Sequence, residues 1–210
     1  MSSRLEDYLN EMPVVAIIRG VKPEEVVEIG EAIIKAGVKV IEVPLNSPSP
    51  FESIQLLTEA VGDRAITGAG TVLTVEDVDK VKAAGGTIIV TPNTNAAVIE
   101  RSVELGMVPL PGFATGTEAF TAYHAGARYL KLFPASTYGV AHIKALKAVL
   151  PKDASVFAVG GAGAANANEW FEGGADGFGV GSEIYKAGDS AEVVYEKALK
   201  LVGAIKAVQN

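Results

Sequence analysis

The sequence predicts an α/β fold: a (β/α)8 TIM barrel carrying an extra N-terminal helix. Three observations lead there. Short apolar runs of β type recur along the 210 residues, with starts roughly 20 to 27 residues apart. Amphipathic helical patterns lie between them. The runs are apolar on both faces, as strands are when helices cover both sides of a sheet. Strands alternating with helices make a parallel sheet, and eight such units in about 200 residues close into a barrel. An open doubly wound sheet is the competing architecture.

Taken in order, residues 2–11 read as a helix ahead of the first strand. Strand runs follow at 14–18, 38–43, 65–67, 87–90, 107–110, 128–132, 155–159 and 177–180. Helical patterns between them include 23–36, 75–84, 95–105 and 190–207. Pro23 suits a first helical turn. Gly37, Gly85, Gly106, Gly126 and Gly174 stand where helices end. The pattern leaves no room for a second domain, so residues 1–210 read as one barrel.

Apolar residues make up 49% of the chain and charged residues 20%, an ordered globular composition. A net charge of −7 argues against broad nucleic-acid binding. It allows an anionic small substrate, because a local site can be positive on an acidic protein. There is no cysteine, which removes disulfides and thiolate chemistry. The two histidines, His124 and His142, lack the spacing to His, Asp or Glu partners that a metal site needs, so no metal is expected. No apolar run reaches the length of a membrane span and no signal-peptide pattern opens the chain, so a cytoplasmic protein without a membrane partner is expected.

Barrel chemistry sits at the C-terminal ends of the strands, which selects among the polar residues. Arg19 follows "VVAII", Glu42 stands in "VIEVPLN", and Thr71 follows the Gly-Ala-Gly of "AITGAGT", which reads as a turn. Thr91 and Pro92 follow "TIIV", Lys131 lies in "ARYLKLFPAS", Gly160 and Gly161 follow "VFAV", and Gly181 and Ser182 follow "GFGV".

Lys131 has apolar neighbours in Leu130, Leu132 and Phe133. An ordinary lysine titrates near about 10.4, and desolvation lowers that value toward a free amine able to form a Schiff base. Alternatively its stem runs along the strand to water. Glu42 shares a strand face with Val38 and Val40; it is either a structural partner for a cation or a proton relay whose pKa an apolar pocket raises. The glycine loops after the last two strands are ordinary turns or, taken together, a phosphate cradle completed by the Ser182 hydroxyl. The run Gly177-x-Gly-x-Gly181 lacks the spacing and acidic residue of a dinucleotide fingerprint. Arg19 and Thr71 suit a carboxylate, or else a rim ion pair and a helix cap.

The motifs "IIRG", "EVPLNSP", "GAGTVL", "IVTPN", "LKLFPAS", "FAVGG" and "GVGSEIY" together resemble the class I aldolases acting on 2-keto-3-deoxy-6-phospho sugar acids, from about residue 10 to residue 190. The resemblance implies that Lys131 forms a Schiff base with a keto acid and that Glu42 donates and accepts protons. It also implies Arg19 and Thr71 at the pyruvoyl end, Gly161, Gly181 and Ser182 (with Gly160 beside them) at the phosphate, and Pro92 and Phe133 lining the pocket. Members are commonly trimers and need no metal or other cofactor. Relatives acting on the gluconate epimer tend to carry Arg where this chain has Asn46 and Thr where it has Val159, so both positions point to the galactonate branch. Rival readings are a 4-hydroxy-2-oxoglutarate aldolase, a phosphosugar isomerase or epimerase using Glu42 as base, and a non-catalytic phosphosugar-binding barrel.

Overall fold

The computed structural model describes residues 2–209. The apolar runs form β1 (Val14–Ile17), β2 (Val40–Pro44), β3 (Ile66–Gly70), β4 (Ile88–Val90), β5 (Val108–Leu110), β6 (Gly112–Phe113), β7 (Tyr129–Leu132), β8 (Ser155–Val159) and β9 (Gly177–Val180). Their order in the sheet is β5-β4-β3-β2-β1-β9-β8-β7-β6, and every pairing is parallel. β5 and β6 are two halves of one strand position, separated by Pro111. β5 pairs with β4 and β6 pairs with β7, so the two ends of the sheet are one stretch of chain and the barrel closes around eight positions. The expected fifth strand, 107–110, therefore runs on to Phe113. Proline gives no N–H to a ladder, but the Pro111 carbonyl still accepts a hydrogen bond from the Lys131 N–H at 2.9 Å.

Helices α2 (Val26–Ala36), α3 (Pro50–Val61), α4 (Val75–Ala83), α5 (Ala96–Glu104), α6 (Gly116–His124), α7 (Ala135–Lys147), α8 (Ala167–Glu172) and α9 (Ala191–Gln209) surround the strands, and α1 (Ser2–Glu11) precedes them. Local chemistry sets their ends. Thr115 and Glu118 form a reciprocal capping box at the start of α6. Gly37 ends α2 with φ of 110°, a left-handed turn that lets its N–H return to the Ile33 and Ile34 carbonyls. The other four glycines expected at helix ends also lie at positive φ. α2 begins at Val26 rather than at Pro23, because residues 23–25 form a turn that Glu25 closes by accepting the Lys22 N–H at 3.1 Å.

Strand alternation divides the core in two. Ala16, Ile18, Ile41, Val43, Leu130 and Leu132 face outward into a shell packed against the helices. Val15, Val40, Ile66, Ile88, Val90, Leu110, Phe157 and Val159 fill the barrel, and Leu5 and Leu9 of α1 join them. Each such aliphatic side chain withdrawn from water contributes roughly 1.5–3 kcal/mol. The inward glycines of β9 make room for that filling: a Cβ on Gly177 would lie 2.5 Å from the Phe157 ring, and one on Gly179 would lie 2.7 Å from Val159. Gly177 and Gly179 of the Gly177-x-Gly-x-Gly181 run thus serve barrel packing, whereas Gly181 lies past the strand end, where a Cβ would meet nothing closer than 3.8 Å. Among the described residues, no helix is long and apolar enough to cross a membrane.

Candidate active site

Lys131 is the middle residue of an inward-facing series. Tyr129 and Phe133, two residues to either side, pack against the barrel-filling cluster, whereas Leu130 and Leu132 point outward. The residues that dry the amine are therefore inside the barrel, not the lysine's immediate chain neighbours. Lys131 is only 7% exposed, and its Nζ lies 4.7 Å from the centroid of the Phe133 ring. That ring face offers a cation a weak electrostatic partner. Burial pulls the amine down to about 8, with Glu42 opposing the shift and Arg19 assisting it.

Glu42 faces the same interior. It is the inward residue after Val40, pairs in register with Ile17 of β1 and Gly68 of β3, and is 2% exposed. Val38, expected on the same face, lies before the strand begins and packs in the outer shell. Burial pushes the Glu42 carboxyl up to about 7, against the pull of Lys131 and Arg19. Its Oε2 atom has no hydrogen-bond partner. A buried polar atom left unsatisfied is costly, and such atoms gather where chemistry needs them.

Gly70 explains how the carboxyl fits. A Cβ at that position would lie 2.0 Å from Glu42 Oε2 and 2.3 Å from its Cδ. The Gly-Ala-Gly segment, expected as a turn, is the C-terminal half of β3. Its glycines are there for close approach: Gly68 to the β4 backbone at Ile88, Gly70 to the Glu42 carboxyl. Thr71 follows with φ of 56°, a left-handed conformation unusual for a β-branched residue. Conformations of this kind cost about 1–3 kcal/mol and persist where their surroundings impose them.

A cavity of about 640 Å³ opens at the ends of β8, β9 and β1. Arg19, Phe133 and Val159 line one side of it, and Gly160, Gly161, Gly181 and Ser182 line the loop side. Phe133 thus separates Lys131 from the loops, and Arg19 connects the cavity electrostatically to the buried pair. Thr71 and Pro92 do not line this cavity. Pro92 packs against Gly112, where a Cβ would meet its carbonyl at 2.5 Å, and Gly112 is the register partner of Lys131. Thr91 is buried and serves its own loop, donating to the Asn93 carbonyl at 2.5 Å and accepting the Gly112 N–H at 3.4 Å.

Contacts within and between the loops shape this wall of the cavity. Gly161 sits at φ of 80° against Ser136, and its carbonyl accepts from Asn166 Nδ2 at 2.9 Å. Glu183 Oε1 accepts the Ala164 N–H at 3.1 Å, tying the loop after β9 to the loop after β8. Asn166, Glu183, Tyr185 and Lys186 also line the cavity and were not singled out from the sequence. Three of them directly follow Ser182 in "GSEIYK", so their proximity to a strand end was the available signal. Asn46 hydrogen-bonds Arg19 through its side-chain oxygen. Neither histidine takes part: His142 Nε2–H donates to the Ala114 carbonyl at 2.6 Å and exposed His124 lies beside Phe120 and Tyr123. Among the described residues, no three His, Asp or Glu side chains group as a metal site would require.

A buried amine and a buried carboxyl thus stand inside a parallel barrel that carries a glycine-walled cavity at its C-terminal mouth. The chain belongs to the family "Aldolase: KDPG and KHG aldolase", whose pattern matches residues 5–199. It is 48% identical over 199 residues to the 2-dehydro-3-deoxy-6-phosphogalactonate aldolase of Escherichia coli (strain K12), covering 95% of this chain and 97% of that one. It also matches a solved structure described as native KDPGal, with a TM-score of 0.93 and 47% identity, over 95% of this chain and 97% of that chain. A cube-shaped protein cage designed by fusing symmetric oligomeric domains contains a further match, with a TM-score of 0.92 and 48% identity, over 93% of this chain and 73% of that chain.

Proposed function

We propose that this chain reversibly cleaves 2-dehydro-3-deoxy-6-phosphogalactonate to pyruvate and D-glyceraldehyde 3-phosphate through a Schiff base on Lys131. The observation that carries the reading is the pair formed by Lys131, drawn down to about 8, and Glu42, pushed up to about 7, both inside the barrel. A phosphosugar-binding barrel has no use for an amine held this way.

The free Nζ of Lys131 attacks the C2 ketone to give a carbinolamine. Glu42 supplies the proton that lets its hydroxyl leave as water, and a protonated imine results. The C4 hydroxyl then gives its proton to Glu42, the C3–C4 bond breaks, and its electrons pass into the imine to form an enamine while the aldehyde product departs. Glu42 returns the proton to C3, and water hydrolyses the imine to release pyruvate and restore the amine. One carboxyl serves every transfer, which is the reason its pKa must lie near the working pH. In this scheme Arg19, held by Asn46, and Thr71 engage the keto-acid carboxylate. Gly160, Gly161, Gly181 and Ser182 hold the phosphate, and Pro92 and Phe133 border the reacting carbons. Val159 presents only methyl groups to the cavity, and with Asn46 it favours the galactonate epimer.

The enzyme acts as a homotrimer in the cytoplasm; the oligomeric domains of the cage that contains a relative support assembly. Borohydride added with pyruvate tests the chemistry. Loss of activity with a reduced pyruvoyl mass on Lys131 is expected, and labelling elsewhere or nowhere would reject the reading. Turnover on the galactonate and gluconate epimers side by side tests the substrate.

A further inference from the structure

The chain crosses its own barrel seam between β1 and β9, which pair in parallel register. Two loops meet there at the mouth. The loop after β1 carries Arg19, and the loop after β9 carries Gly181 and Ser182. Tyr185 in the second loop is 2% exposed. Its hydroxyl donates to Glu25 Oε1 at 2.9 Å, across 160 positions of sequence. The same carboxylate oxygen accepts the Lys22 N–H at 3.1 Å, three residues from Arg19. On its own side Tyr185 is locked to the phosphate loop, because its N–H donates to the Gly181 carbonyl at 3.0 Å. The loops also touch directly: Gly20, at φ of 86°, leaves room for the Ala187 side chain, which would lie 3.2 Å from a Cβ there. Burial and the neighbouring carboxylate both raise the Tyr185 phenol above its ordinary range, so it remains a donor.

Tyr185 borders the cavity, but its one hydroxyl proton is committed to Glu25, so the hydroxyl joins the two loops and has no proton left to donate to a ligand. Arg19 has other anchors toward β2, namely Asn46 and the Gly20 N–H to Ser47 Oγ bond of 2.9 Å. Cutting the link between Tyr185 and Glu25 therefore leaves Arg19 placed and frees chiefly the loop after β9. A short ligand held at the Arg19 end is indifferent to that. A ligand reaching both loops is not.

We infer that Tyr185 and Glu25 form a strut setting the span between the Arg19 loop and the Gly181–Ser182 loop, and thereby select keto acids long enough to carry a terminal phosphate into the second loop. Both are positioning residues. The inference rests on the proposed aldolase reading and adds the device that measures substrate length.

The test compares the unaltered protein with Tyr185→Phe, Glu25→Ala, the double variant and Glu25→Gln. KM and kcat are measured on the phosphorylated keto acid, and the pyruvate concentration for half-maximal borohydride trapping is measured in parallel. Each single variant is expected to raise KM on the order of tenfold, with kcat and the pyruvate half-saturation held within about twofold. The double variant should be no worse than the singles, and Glu25→Gln, which keeps an acceptor oxygen, should behave nearly as the unaltered protein. Equal losses for both ligands, fully additive losses, or an unchanged KM would overturn the strut. Phenylalanine keeps the buried ring of Tyr185, and Glu25→Ala alters only the other loop, so a folding defect in one variant leaves the other decisive. An unaltered protein that traps no pyruvate would instead remove the aldolase reading, and the strut with it.

Discussion

Replacing Lys131 with methionine should make the protein more stable while abolishing its activity. The amine is drawn down from 10.5 to about 8 by burial. Each unit corresponds to about 1.36 kcal/mol, so the charged lysine destabilises the fold by roughly 3 kcal/mol well below pH 8. Burial disfavours the protonated form in the folded chain, and the unfolded chain holds the proton more tightly between pH 8 and 10.5. Stability of the unaltered protein therefore rises with pH across that window, and the penalty shrinks to about 1 kcal/mol by pH 9.5. Methionine keeps the length of the stem and fills the same space without the charge. At pH 6, where Glu42 is largely protonated, a gain of about 2–3 kcal/mol is expected after some relaxation of the site. For a chain of this length that amounts to an increase in Tm of about 4–12 °C. Thermal unfolding of both proteins at pH 6 and pH 9.5 checks it, with most of the gain expected to vanish at the higher pH. A variant less stable than its parent at pH 6, or a gain independent of pH, would refute the desolvation on which the reasoning rests.

Gly70→Ala should lower kcat by at least tenfold and reduce stability by about 1–3 kcal/mol, because the new methyl group would lie 2.0 Å from Glu42 Oε2; unchanged turnover would show that the carboxyl can stand elsewhere. The pH profile of kcat/KM should be a bell with limbs near 7 and 8, the values belonging to the Glu42–Lys131 pair. Glu42→Gln should erase the alkaline limb and leave residual activity that rises with pH as Lys131 loses its proton, and a flat profile between pH 6 and 9 would contradict the shared proton. Val159→Thr, adding a hydroxyl to the cavity wall, should shift the ratio of kcat/KM for the two C4 epimers toward gluconate by about 1–3 kcal/mol, measured by competing the epimers.

The fold was largely legible because barrel strands leave a double signature: apolar runs of the right spacing, and glycines where helices turn back. Alternation gave Glu42 its inward direction, and the rule that barrel chemistry lies at strand ends selected Lys131, Arg19 and the two glycine loops. What escaped has a common origin in contacts between strands. Gly70 read as a turn because the carboxyl of Glu42 that needs its missing side chain is 28 positions away. Pro111 looked like the end of a strand, yet it is where the chain exchanges one neighbour for another and closes the barrel. The surroundings of Lys131 are hidden for the same reason, since Leu130 and Leu132 adjoin it in sequence but face the other layer. Tyr185 and Glu25 stand 160 positions apart and meet only across the β1–β9 seam.

The most direct test follows the Nζ of Lys131 itself. With the lysines labelled by 15N and Lys131→Met used to assign its resonance, an NMR titration of the free protein should give a midpoint near 8. A midpoint at the ordinary lysine value of about 10.4 would mean that water reaches the amine, and the mechanism built on a free amine in the barrel would be wrong.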